Sequence, residues 1–294
     1  FIFVGGFFIH IVVQSKLFSS NKTLLVQGKI IDLSTPKVMG ILNVTPDSFY
    51  DGGKFVDEVN ILKQVEKMLN EGADFIDVGG YSSRPDANDI SDTEELARII
   101  PVVKVLLKEF PSAIISIDTF RSSVAKAAVD VGAAIINDIS AGELDKAMIE
   151  TVAGLQVPYI AMHMQGTPQT MAQFTNYENV TKEIIDYFHR KISQLQHAGL
   201  KDIIIDPGFG FAKTVDQNFE LLNKLDHLQI FEKPLLVGLS RKSMIWRTLK
   251  TTPESALNGT TALNTLALLK GASILRVHDV KEAKEVIQLI GQLK

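Results

Sequence analysis

The chain has no cysteine among its 294 residues. That excludes disulfides, thiolate metal sites and a cysteine nucleophile, and it fits a cytoplasmic protein. There is no surplus of positive charge: 30 Lys and Arg stand against 34 Asp and Glu, for a formal net charge of −4, which argues against a general nucleic-acid binder. There is also no apolar run of the roughly 18 residues that a membrane span needs. The nearest candidate, FIFVGGFFIHIVVQ, is apolar only through Val13 and is interrupted by Gly5, Gly6 and His10. It carries neither a basic leading region nor a small-residue cleavage site, so it does not read as a signal peptide. Residues 1–22 are therefore set apart as an apolar extension of open status, either poorly ordered or with a targeting or interface role. The folded domain is expected over 23–294. No linker rich in Pro, Gly or Ser interrupts it, and single α/β barrels reach this size.

What is present is alternation. Short runs rich in β-branched residues occur at 37–43 (KVMGILN), 74–80 (DFIDVGG), 113–119 (AIISIDT) and 133–140 (AAIINDIS). Four more follow at 158–164 (PYIAMHM), 202–208 (DIIIDPG), 234–240 (PLLVGLS) and 272–279 (ASILRVHD). Each is continuously apolar rather than alternating, the pattern of strands buried on both faces. Longer amphipathic stretches separate them. VDEVNILKQVEKMLNEG places Val59, Leu62, Val65, Met68 and Leu69 at helical spacing with Gly72 as a C-terminal cap, and SDTEELARIIPVVKVLLKEF opens with acidic residues suited to a helix N-terminus. Eight strand-helix pairs predict a single-domain (β/α)₈ TIM barrel, with a doubly wound open sheet as the alternative. LLVQGKIIDLS, ahead of the first strand, is expected to form an N-terminal hairpin capping the barrel bottom.

Polar residues gather at the C-terminal ends of these strands: Asn43, Asp118, Asn137 with Asp138, Asp206, Ser240 through Lys242, and Arg276 with His278. In a barrel those ends share one mouth, where active sites lie. Singly, a strand-end Asp can simply cap the next helix. Together, Asp118, Asn137 and Asp206 supply mainly acceptors plus one amide donor, with no basic residue beside the carboxylates in sequence. Such a set suits a ligand edge rich in N–H donors, such as an amino-pyrimidinone. Lys242, Arg276, His278 and Arg84 supply the opposite charge for an anionic group.

GILNVTPDSFYDGG (40–53), YSSRP (81–85), SIDT (116–119), NDIS (137–140), DPGFGFAKT (206–214), GLSRKS (238–243) and GASILRVHDV (271–280) occur in order along the chain. This set resembles the dihydropteroate synthase family over roughly residues 24–294. The resemblance implies a TIM-barrel transferase of folate biosynthesis. It would condense hydroxymethyl-dihydropterin diphosphate with para-aminobenzoate to give dihydropteroate and diphosphate, and would be a sulfonamide target. It further implies pterin binding by Asp118, Asn137, Asp206 and Lys242, and diphosphate binding by Asn43, Ser83, Arg84, Arg276 and His278. Asn43 would also reach a Mg²⁺ ion. Phe49, Ser83, Pro85, Phe211, Ser240 and Lys242 would shape the para-aminobenzoate site. The catalytic set would be Asn43, Asp51, Lys242, Arg276 and His278. A homodimer is implied as well.

The expected chemistry is an SN1-like displacement under mobile loops. The segment 44–53 would act as a lid that excludes water, hinged at Gly52 and Gly53, with Phe49 on the aryl ring and Asp51 facing the amine. Ser83 stands where many members carry Thr, which keeps the hydroxyl. His163, in MHMQGTP, is expected to anchor a loop rather than to catalyse. Three other readings compete. A pterin-binding methyltransferase domain would not need SSRP together with RVHD. A Schiff-base aldolase would use Lys242, whose neighbours Ser240 and Arg241 suit anions better. A non-catalytic pterin-binding barrel would have lost Asn43, Lys242 or Arg276, and all three are present.

Overall fold

The computed structural model describes residues 23–44, 54–82 and 89–293, with the backbone alone for 54–57. The extension 1–22, the site candidates Phe49, Asp51, Ser83, Arg84 and Pro85, and the glycine pair at 52–53 lie outside the described residues.

An antiparallel hairpin, β1 (Thr23–Val26) and β2 (Lys29–Asp32), precedes eight parallel strands. These are β3 (Lys37–Asn43), β4 (Phe75–Gly79), β5 (Ile115–Asp118), β6 (Ile135–Asp138), β7 (Tyr159–Met162), β8 (Ile203–Asp206), β9 (Leu236–Val237) and β10 (Ile274–Val277). Each pairs with its sequence neighbour from β3 to β8, β10 pairs with both β3 and β9, and an isolated bridge from Ile205 to Leu235 joins β8 to β9. The strands thus run round a nearly closed ring, which rules out the open doubly wound sheet.

Helices follow the strands in turn: α1 (Lys54–Asn70), α2 (Asp92–Glu109), α3 (Ser122–Asp130), α4 (Met148–Leu155), α5 (Val180–His197) and α6 (Val215–Asn223). After β9 come two, α7 (Ser243–Thr248) and α8 (Leu257–Leu269), and α9 (Val280–Gly291) ends the chain. Helix α1 buries Ile61, Val65 and Met68, whereas Val59 is 41% exposed. At about 100° per residue, Val59 lies some 200° round from Ile61, so the buried stripe runs i, i+4, i+7 from Ile61 instead. Gly72 ends the helix at φ +98°, a conformation that costs a glycine little. Helix α2 begins as its acidic start predicts, with the Ser91 hydroxyl accepting from the Glu94 N–H at 3.2 Å.

The hairpin forms the floor. Leu24 and Val26, with Leu33, pack on Met39, Phe75, Ile135, Ile160, Ile204, Leu236 and Ile274 at the N-terminal ends of the strands. The Leu25 N–H donates to Asp202 at 3.2 Å and ties the hairpin to the barrel. The floor is apolar, and the polar strand ends open at the opposite face. Among the described residues no helix is long and apolar enough to cross a membrane.

Candidate active site

Parallel registry sets the strand ends side by side. Asn43 pairs with Gly79, Gly79 with Asp118, and Asp118 with Asn137. Gly79 has no side chain to separate its neighbours: a Cβ there would stand 3.7 Å from Asn43 Oδ1 and 3.8 Å from Asp118 Oδ2. The candidate metal-reaching amide and the candidate pterin carboxylate therefore approach one another across β4.

A network lies below this row. Arg276 donates from Nε to Asp77 Oδ2 at 2.6 Å and from Nη2 to Asp118 Oδ2 at 2.6 Å, while Asn137 Nδ2 donates to the same Asp77 oxygen at 2.9 Å. The carboxylate of Asp118, which has no basic residue beside it in sequence, thus has a cation beside it in space. Strand β10 adjoins β3 and carries Arg276 across the barrel interior to Asp118, a pairing that sequence separation hides. Burial pushes the Asp118 carboxyl up to about 7 against the pull of Arg276. Burial would lower Arg276, yet Asp77 and Asp118 raise it further.

Across the mouth, Asp206 ends β8. Its Oδ1 accepts from the Gly208 N–H at 2.8 Å, and its pKa is raised by burial. The turn has room only for glycine: a Cβ on Gly208 would stand 2.0 Å from the His163 carbonyl oxygen, and φ is +71°. Beyond it, the Lys242 ammonium lies 4.2 Å from the centroid of Phe211, a cation–π contact. Burial, and then Arg276, push Lys242 down to about 8. Its charge and that of Arg276 both favour the ionised form of Asp206.

Ser240 and Lys242 flank Arg241, which sits in the left-handed region at φ +55°. Arg241 is held there by Thr260 Oγ1, which accepts from its N–H at 3.1 Å, and by Asp279, at 3.1 Å from Nε and 2.6 Å from Nη2. Its guanidinium is thus committed to Asp279. The Ser240 hydroxyl accepts from the His278 N–H at 3.2 Å and lies 3.0 Å from His278 Nδ1. Loss of solvation, then the Arg276 charge, lower the His278 pKa.

Three candidate pairs are therefore in place: Asp118 with Asn137 through Asp77 and Arg276, Lys242 with Phe211, and Ser240 with His278. Asn43 sits exposed above them. Two buried residues escape a sequence reading. Asp77, fully buried in β4, could have been flagged as a carboxylate inside the apolar run FIDVG. Lys213 is buried and donates to the Gly208 and Phe211 carbonyls, at 2.9 Å each, and to His163 Nδ1 at 3.1 Å. Burial pushes Lys213 down to about 7, and burial with the Lys213 charge holds His163 well below its ordinary value, so the ring is neutral and accepts at Nδ1. His163 is a loop anchor, as its sequence context suggested.

Across the described segments on either side of 83–88, Arg121 pairs with Glu95, with Asp92 at 2.9 Å and with Asp89 at 3.3 Å. It also stacks on Phe120 and Tyr81, its guanidinium carbon 4.8 and 5.3 Å from their centroids. Among the described residues no group of three or more His, Cys, Asp or Glu side chains is arranged to hold a metal ion.

Comparison with known proteins gives this constellation its family. The model of the family described as pterin binding enzyme matches residues 39–278. The dihydropteroate synthase of Escherichia coli (strain K12) is 44% identical over 269 residues, covering 91% of this chain and 95% of that protein. Among solved structures, Yersinia pestis dihydropteroate synthase in a sulfonamide drug complex superimposes with a TM-score of 0.86 at 40% identity, covering 92% of this chain and 98% of that one. The Xanthomonas albilineans dihydropteroate synthase in complex with 7,8-dihydropteroate gives a TM-score of 0.83 at 36% identity, with coverage of 92% and 98%. With a buried acceptor set and two cations at the mouth of such a barrel, the chain belongs to the dihydropteroate synthase family of pterin-binding enzymes.

Proposed function

We propose that the chain condenses hydroxymethyl-dihydropterin diphosphate with para-aminobenzoate, forming dihydropteroate and diphosphate for folate biosynthesis. The observation that carries this reading is the convergence of Asp118, Asn137 and Asp206 with Arg276 and Lys242 on one mouth. The acceptors match the donor edge of a pterin, and the cations match its diphosphate.

The reaction breaks the bond between the pterin methylene carbon and the diphosphate oxygen, whose electron pair leaves with diphosphate. The dihydropterin ring delocalises the cation left on carbon, and Asp118 and Asp206 stabilise it more than they stabilise the neutral ground state. Arg276, His278 and Asn43 receive the leaving anion together with Arg84 and Ser83. The neutral amine of para-aminobenzoate then attacks the carbon, and the ammonium so formed gives its proton to solvent, with Asp51 placed by the resemblance to face the developing positive charge. Phe211, Ser240 and Lys242, with Phe49, Ser83 and Pro85, hold the aryl ring and its carboxylate. The roles of Phe49, Asp51, Ser83, Arg84 and Pro85 rest on the sequence resemblance.

A Mg²⁺ ion fits the donor chemistry, because Mg²⁺ is commonly held by one or two protein oxygens plus substrate phosphates. Asn43 Oδ1, exposed beside Asp118, is the protein oxygen that would hold it. When bound, the ion supplies positive charge that improves diphosphate as a leaving group. Sulfonamides would occupy the para-aminobenzoate site, as inhibitors of the kind named in the Yersinia pestis complex. We further read the protein as cytoplasmic, in keeping with its lack of cysteine, and as a homodimer, supported by exposed Leu249, Leu266 and Leu269 around α7 and α8.

The test is diphosphate release from the pterin substrate, with and without Mg²⁺ and para-aminobenzoate. Dihydropteroate should form only when all three are present. A chain that binds the pterin yet releases no diphosphate under any combination would be a binding barrel, and the catalytic reading would fall.

A further inference from the structure

Asp77 lies one strand layer below the ligand-facing row, between Ile76 and Val78, and is fully buried. One of its oxygens, Oδ2, accepts from both Arg276 Nε at 2.6 Å and Asn137 Nδ2 at 2.9 Å. The other, Oδ1, is buried with no hydrogen-bond partner. Both donors that Oδ2 serves, Arg276 and Asn137, are strand-end groups of the candidate site, so the carboxylate is tied to the site and not to the surrounding apolar core. Here the carboxylate is placed to serve its two donors rather than itself.

Resting on the pterin reading above, we propose that Asp77 is a positioning residue that sets both halves of the site at once. It fixes the edge that Asn137 offers to the pterin and the place where Arg276 meets the leaving anion. The logic for Asn137 is chemical. A carboxylate accepts only, so the amide group turned toward Asp77 must be the NH₂, and the carbonyl oxygen is left for the ligand. Asn137 thereby joins Asp118 and Asp206 as an acceptor, and a pterin is met by acceptors from three strands of the mouth. Without Asp77 the amide is free to turn over and present a donor to a donor.

The logic for Arg276 is competitive. Its guanidinium is shared between Asp77 and Asp118 in the ligand-free site. Once the pterin donors claim Asp118, Asp77 is the partner that keeps the guanidinium in the mouth, with its remaining N–H groups turned to the diphosphate. One carboxylate thus links recognition of the ring to recognition of the leaving group.

The experiment measures calorimetric affinities of hydroxymethyl-dihydropterin and, separately, of pyrophosphate with Mg²⁺, alongside steady-state kinetics and thermal unfolding. The proteins compared are the wild type, Asp77→Leu, Asn137→Ala and the double variant; leucine has nearly the same shape and no acceptor, whereas asparagine would keep a carbonyl oxygen able to accept both bonds. Asp77→Leu should weaken both ligands at least tenfold while changing the KM for para-aminobenzoate less than twofold. The pterin loss should vanish in the Asn137→Ala background, because the effect passes through that amide. Unchanged affinities in folded Asp77→Leu, with only an altered melting temperature, would overturn the proposal, as would a pterin loss that persists fully without Asn137. Should Asp77→Leu fail to fold, Asp77→Glu serves: it retains the charge, so pyrophosphate affinity should survive better than pterin affinity, and equal loss of both would overturn the proposal. A wild-type protein that binds no pterin would sink the functional reading itself, whereas a wild type that binds beside an unaffected Asp77→Leu sinks only the role of Asp77.

Discussion

Asp118 is held between opposed influences: burial favours its neutral form and Arg276 its ionised form, with burial prevailing to about 7. Pterin donors would add hydrogen bonds to the carboxylate and lower that value. The sign follows. Binding near pH 7 should release a proton from Asp118, and affinity should climb by up to about tenfold per pH unit from pH 6 toward 7. For the ligand-free protein the raised pKa works the other way: its contribution to stability is full below the ordinary value and is lost as pH rises through about 7. Calorimetry in buffers of different ionisation enthalpy, kept below the Lys242 titration at about 8, checks the release, which Asp118→Asn should abolish. This coupling could not be read from SIDT, because Arg276 stands 158 residues away in sequence. Asp77 was hidden for a related reason, since a charge inside an apolar run gains its meaning from partners on other strands, whereas Lys213 takes its role from the way its own loop folds back and from His163.

At the scale of elements, eight apolar runs ending in polar residues were legible because buried parallel strands leave little room for other patterns. The strand bounds proved shorter than the runs, since pairing stops where the chain turns into each loop; PLLVGLS yields only the two paired residues of β9. What joins the elements was less legible. Arg121, at the start of α3, reaches back to Asp92 and the fully buried Glu95 of α2 and to Asp89 before it. Desolvation raises the Glu95 pKa, with Thr119 and Arg121 pulling it back. Arg121→Ala should therefore destabilise the fold by about 3–5 kcal/mol in urea unfolding, because it strands a buried carboxylate. Arg121→Met combined with Glu95→Gln should recover most of that loss. If the single and double variants unfold alike, the ion pair does not secure this corner.

For the whole molecule, the floor and the mouth divide the work: the hairpin seals one end with side chains, and the other end keeps its polar groups for ligands. The ring between them is uneven. Most adjacent strands share several paired residues, whereas β8 and β9 meet at the single bridge of Ile205 with Leu235, where the Ile205 N–H donates to the Pro234 carbonyl at 3.0 Å. In mechanical language the barrel is a split collar, and its two lips carry Asp206 on one side and Ser240 and Lys242 on the other. On the proposed binding by Asp206 and Lys242, a pterin gripped by both lips would act as the clasp. Hydrogen exchange at the Ile205 amide should therefore slow on pterin binding by more than at the Ile136 amide, which makes the equivalent 3.0 Å bond to Pro158 on a fully paired seam. Equal slowing at the two would describe a rigid hoop. A larger effect at Ile205 means that the substrate, while it is held, completes the circumference of the enzyme.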